Sequence, residues 1–140
     1  MDRAGEWFLH SGIQEASGGV ARYYRSDAGV NARISTEITG YAASALTWLH
    51  RVTGRADYLE AARRAGHFLA RLAWDATAAT LPFEYGVDGD RPPAFFFDLG
   101  IIVRGFVSLW RATREREFLQ AAEAAAASMT RDFSGAEGHH

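Results

Sequence analysis

Apolar and polar positions in this chain fall into two kinds of helical pattern that take turns. From Ser35 to about Val52, residues Ile38, Tyr41, Ala42, Ala45, Leu46, Trp48 and Leu49 spread around much of a helix, and no formal charge falls between Glu37 and His50. A helix that is apolar on most sides is expected to be buried on most sides. Ser35 offers an N-cap oxygen, and Gly54 offers the left-handed residue that commonly stops a helix. From Ala56 to about Ala73 the apolar residues Tyr58, Leu59, Ala62, Phe68, Leu69 and Leu72 are interrupted by Asp57, Glu60, Arg63, Arg64 and Arg71. That pattern predicts an amphipathic outer helix with one solvated face.

The same contrast returns further along. Between Asp98 and about Ala112, Leu99, Ile101, Ile102, Val103, Phe106, Val107, Leu109 and Trp110 surround Arg104 as the only internal charge before Arg111, while Glu115 to about Met129 is alanine-rich with Glu117 and Glu123 turned outward. A shift of sixty positions lays Gly40, Leu49, Arg51, Thr53, Leu59, Ala61, Ala62, Ala65 and Arg71 on Gly100, Leu109, Arg111, Thr113, Leu119, Ala121, Ala122, Ala125 and Arg131 without a gap. Residues 3–9 echo residues 64–69 with one insertion, so the N-terminus reads as the end of an earlier unit. Self-similarity of this kind predicts an all-α fold of tandem antiparallel helical hairpins. The expected organisation is a single domain, with residues 1–10 closing a preceding hairpin, 35–73 and 98–130 forming two hairpins, and 131–140 a polar tail.

Within each hairpin the connection is short, but a connection of about 25 residues precedes each inner helix, and connections of that length are usually functional or disordered. Gly18-Gly19 leads into an alternating stretch from Val20 to Tyr24, and bulky residues alternate around Pro82 between Thr80 and Tyr85, so short strands are expected in both. Because each long connection feeds the N-terminus of an inner helix, both belong on the same face.

Composition narrows the chemistry. The chain has 140 residues, 48% hydrophobic and 23% charged, which is ordinary for one folded domain. A net charge of -2 and a pI near 6.2 provide no clustered basic surface for nucleic acid or an anionic membrane. No apolar run reaches the length that spans a bilayer. Without cysteine there are no disulfides, thiolate metal sites or cysteine nucleophiles, and with arginine as the basic residue throughout there is no P-loop or Schiff-base lysine. The N-terminus lacks the succession of a signal peptide, so the expected location is cytoplasmic. His10, His50, His67, His139 and His140 show no ligand spacing, and neither a metal nor another cofactor is expected.

Four segments carry a resemblance. Ser11-Gly12-Ile13-Gln14, residues 18–24, Ser35-Thr36-Glu37-Ile38-Thr39-Gly40-Tyr41 and residues 96–105 look like bacterial proteins of the α/α-toroid, six-hairpin glycosidase-like group. The resemblance implies hairpins arranged in a ring, inner helices lining a central cleft, and long loops at one end that hold carbohydrate. It implies glycoside hydrolase, polysaccharide lyase or sugar epimerase chemistry without choosing among them. Two hairpins make only part of such a ring, so the remainder of a toroid, or self-association through the lateral helix faces, is expected to cover them.

Candidate residues follow from that chemistry. Glu37 and Asp98, in the first turns of the two inner helices, form a carboxylate pair of the sort that flanks a glycosidic oxygen, and Glu84 on the second long loop is a third candidate. Acidic residues also stabilise helix N-termini by about 0.3–1 kcal/mol, which is the structural reading of the same pair. Arg22 and Arg104 are candidates for binding a sugar carboxylate, and Tyr24, Tyr41, Tyr85 and Phe97 for contacting sugar rings. Arg104, inside an apolar helix, is expected to meet a carboxylate or face the cleft. Of the loop aromatics Tyr23, Tyr24, Phe83, Tyr85, Phe95, Phe96 and Phe97, at least half are expected to be buried against helix ends. Two other classes stay open: a non-catalytic helical scaffold, and a toroid of the terpenoid-cyclase or lanthionine-cyclase kind, weakened by missing acidic clusters and missing cysteine.

Overall fold

Residues 2–87, 92–135 and 138–139 are described by the computed structural model; Met1, residues 88–91 and 136–137, and His140 at the end of the polar tail lie outside the described residues. The helices are α1 (Asp2–His10), α2 (Thr36–Thr53), α3 (Ala56–His67), α4 (Phe96–Thr113) and α5 (Arg116–Phe133). A π-helical stretch, Phe68–Ala73, continues α3 to the end that the amphipathic pattern predicts.

Local chemistry sets the helix ends. Ser35 caps α2 by accepting from the Ile38 N–H at 3.2 Å, and Gly54 closes it at φ 73° with its own N–H donating to the His50 carbonyl. Arg114, sixty positions on, takes the same left-handed conformation at φ 62° and donates to the Trp110 carbonyl at 2.8 Å. The repeat therefore extends to a backbone conformation that the residue type at position 114 does not favour. α5 runs to Phe133, a few residues past the alanine-rich pattern.

α2 and α4 lie side by side as inner helices, with α3 and α5 packed as their outer partners. Their backbones touch at two glycines: a Cβ on Gly105 would stand 2.8 Å from the Gly40 carbonyl oxygen, and one on Gly40 would stand 3.0 Å from the Ile102 Cα. Leu46, Phe68, Leu69, Leu99, Ile102, Phe106, Leu109 and Phe118 are fully buried between the layers. Each such side chain stabilises the fold by roughly 1.5–3 kcal/mol relative to exposure. Between the outer helices, Arg63 donates to Glu115 at 2.7 Å, Arg71 grips Glu117 with two bonds of 2.7 and 2.6 Å, and His67 sits 3.4 Å from Glu117. α1 is fastened by Glu6, which pairs with Arg55, itself stacked over the Tyr58 ring at 4.6 Å.

The long connections form β1 (Val20–Ala21), β2 (Tyr24–Arg25), β3 (Val30–Asn31), β4 (Ile34–Ser35) and β5 (Glu84–Tyr85). Antiparallel pairing gives a sheet of order β1-β4-β5, while β2 and β3 make a separate hairpin. Ile34 pairs with Tyr85 and Ser35 with Glu84, which joins the two connections at the rim formed by the inner-helix N-termini. After α5, β6 (Ser134–Gly135) pairs with β7 (Gly138–His139).

α2 is buried on most sides, with Tyr41, Trp48 and Val52 left 37%, 42% and 48% exposed where no other described helix packs. One expectation is corrected. None of the seven loop aromatics is fully buried; six are exposed and Phe83 is half-buried. Strands of two residues are too short to turn an alternating set onto the core, and the β2–β3 hairpin carries Tyr24 outward.

Candidate functional site

The rim is built where β1, β4 and β5 meet the first turns of α2 and α4. Thr36, fully buried, donates through its hydroxyl to the Pro82 carbonyl at 2.7 Å and through its N–H to the Phe83 carbonyl at 3.1 Å. Thr39 accepts from the Val20 N–H and donates to the Ser35 carbonyl. These bonds lock both connections to α2, so the adjacent Glu37 has a fixed mount. In front of α4, Phe83 donates its N–H to the Pro93 carbonyl, and Phe95 holds the N-cap position without a side-chain bond, which leaves Asp98 in the first turn as a charge rather than a cap.

Glu37 and Asp98 come together at this rim. Burial pushes the Asp98 carboxyl above the ordinary aspartate range, the Glu37 charge pushes it further, and Arg22 partly opposes both. A pair of carboxylates whose environment keeps a proton on one of them can act as acid and base. Glu84 has a different role: it accepts from Arg22 at 2.9 Å and lies 3.8 Å from Arg33, and its side chain is only 15% exposed. Two guanidiniums engage it. Arg22 also lies over the Phe83 ring at 5.7 Å, so the Arg22–Glu84 pair braces the floor beside Asp98.

The aromatic candidates divide by place. Phe97 is 60% exposed beside Asp98, and Tyr85 is held edge-on against Phe68 at 5.0 Å while keeping an open face. Tyr24 is exposed on the β2–β3 hairpin. Tyr41 and Arg104 line a groove that also includes Ile38 and Trp48. Arg104 is exposed, lines this groove and has no ion-pair partner among the described residues. Sequence reasoning passed over Arg33, Trp48, Arg51 and Arg111, all at grooves. For Arg51 and Arg111 a signal was present, since the sixty-residue shift superposes them. Among the described residues there is no group of three or more potential metal-ligating side chains, and no helix is long and apolar enough to cross a membrane.

The paired inner and outer helices, with strand-bearing loops at one rim, have the fold of part of an α/α toroid. Solved structures bear this out. A sugar epimerase from a ruminal bacterium superposes with a TM-score of 0.78 at 15% identity over 94% of this chain and 35% of its own. The unsaturated glucuronyl hydrolase of Bacillus sp. GL1, responsible for the degradation of glycosaminoglycan, superposes with a TM-score of 0.69 at 14% identity over 96% of this chain and 43% of its own. The chain thus spans well under half the length of these neighbours. No protein-family model and no curated protein matches the sequence.

Proposed function

We propose that this chain is a segment of a carbohydrate-active toroid whose loop rim holds a sugar, with Asp98 as proton donor and Glu37 as its carboxylate partner. The carrying observation is that the first turns of two adjacent inner helices bring two carboxylates into mutual influence, so that one retains its proton more tightly. In glycoside hydrolysis such a pair protonates the leaving oxygen and activates water or attacks the sugar carbon. The same pair suits proton exchange at a sugar carbon, the chemistry of an epimerase. Arg22, Tyr24, Tyr41, Tyr85 and Phe97 are assigned to the substrate at the rim, Arg104 to the groove between the inner helices, and Glu84 to holding Arg22 rather than to chemistry. The likeness to a sugar epimerase and a glucuronyl hydrolase supports the substrate class.

Turnover of a panel of oligosaccharides tests the assignment. Asp98→Asn and Glu37→Gln are each expected to lower kcat at least about a hundredfold, the usual scale for general acid–base groups, while the fold persists. Variants that retain full turnover sink the carboxylate assignment. A panel that neither turns over nor binds favours the scaffold reading, in which both acids serve only the helix dipoles. Partners follow from the same proposal: the sides of α2 and α4 not covered by each other take neighbouring hairpins, from a longer polypeptide or from further copies of the chain.

A further inference from the structure

We propose that the groove between the C-terminal halves of α2 and α4 binds a sugar acid, a saccharide whose carboxylates sit between free hydroxyls. It rests on the reading above only in taking the ligand to be a sugar. The groove has a volume of about 460 Å³, and Arg51, Arg104 and Arg111 line it while no carboxylate among its lining residues offsets them. None of the three has an ion-pair partner among the described residues. All three are exposed, and the planar fork of arginine matches a carboxylate with two parallel bonds, so a carboxylate in the groove can join them.

The hydroxyls of the groove say what else the ligand carries. Ser44 donates to the Gly40 carbonyl, Thr47 to the Ala43 carbonyl at 2.6 Å and Ser108 to the Arg104 carbonyl at 2.8 Å. With their protons turned to their own helix they present lone pairs, which match a ligand that brings donors of its own. Ring hydroxyls do so; a bare oxyanion does not. Trp48, 42% exposed on the wall, adds an apolar face for the C–H side of a sugar ring.

Position separates this groove from the rim. Arg51 lies fourteen residues beyond Glu37 on α2 and Arg111 thirteen beyond Asp98 on α4, each about 20 Å at 1.5 Å per residue, while Arg104, six residues beyond Asp98, marks the near end of the groove at about 9 Å. The sixty-residue shift lays Ser44, Trp48 and Arg51 on Arg104, Ser108 and Arg111, so both inner helices present the same face to the channel. Complementing a helix C-terminus accounts for arginines in the last turns, as at Arg51 and Arg111, but not for Arg104, which lies more than two turns from the end of α4.

Calorimetric titration of the full chain with trigalacturonate, maltotriose and inorganic phosphate tests this. Trigalacturonate is expected to bind at least about tenfold more tightly than either comparison ligand, with affinity that falls as salt rises. Arg104→Gln and the pair Arg51→Gln/Arg111→Gln are expected to weaken it at least about tenfold, and Arg104→Lys to restore only part. The salt series on the unaltered chain keeps the test decisive if a variant fails to fold. Equal affinity for maltotriose, equal affinity for phosphate, or no binding of trigalacturonate overturns the proposal. So do arginine variants that lower the melting temperature yet bind as before. Asp98 does not line this groove and lies about 20 Å from Arg111, so Asp98→Asn is expected to leave this affinity unchanged, and loss of turnover and loss of acid binding report on different claims.

Discussion

Residues sixty positions apart hold the same backbone conformation at the two inner-helix ends, but with different side chains. At position 54 a glycine meets φ 73° at no steric cost; at position 114 an arginine meets φ 62°. Its guanidinium, stacked over the Trp110 ring at 5.5 Å, recovers part of that cost. Arg114→Gly is therefore expected to raise unfolding free energy by about 0.5 kcal/mol, read by urea denaturation. A loss of stability would show that the stacking outweighs the backbone. Asp98 offers a second test. Its folded carboxyl binds a proton more tightly than the unfolded one, so stability falls as pH rises from the ordinary aspartate range through the raised folded value. Asp98→Asn is expected to raise the melting temperature at pH 7 by a few degrees, roughly the scale of 1 kcal/mol or less, and to flatten that limb. A lower melting temperature would mean that the charge serves the helix dipole after all.

Helices meet through two kinds of contact here, and they respond differently to solvent. α2 and α4 meet backbone to backbone at Gly40 and Gly105, a contact indifferent to pH. α3 and α5 meet through ions: Arg71, first by its hydrogen bonds, holds the Glu117 carboxyl below the ordinary glutamate range, with His67 adding to the effect. That contribution is present above the unfolded glutamate range and is lost as pH falls through the depressed folded value. Glu117→Gln is expected to cost about 0.5–1 kcal/mol near neutral pH and to make the acid limb shallower. Thermal melts between pH 3 and 7 check it; an unchanged acid limb would show that the pair is solvated and idle.

Across the whole molecule, the proposal that neighbouring hairpins cover the inner helices makes its own prediction. Trp7 is exposed on α1, and a groove between α1 and α2 is lined by Ala4, Gly5, Phe8, Ala42, Ala45 and Leu49. α4 covers one side of α2, and the proposal has another helix cover the opposite side, as stacked hairpins bury their flanks against neighbours. The 140-residue chain is expected to associate at micromolar concentration through this flank. Sedimentation as a clean monomer across that range would show that exposed flank to be tolerated in water.

The sequence alone determined the hairpins, their order and their inner and outer ranks, because helix periodicity, the Ser35 cap and the sixty-residue echo are local signals that burial then obeys. It also marked Glu37 and Asp98 as first-turn carboxylates and Arg104 as a charge inside an apolar helix. Only the tertiary structure decided that Glu37 raises the proton affinity of Asp98, that Glu84 is claimed by Arg22 and Arg33, and that Arg51, Arg104 and Arg111 share one channel. Those relations join residues tens of positions apart, and depend on β4 pairing with β5 and α2 lying against α4. A side chain's partner across two elements is set by register and crossing, and neither is written in the pattern of either element.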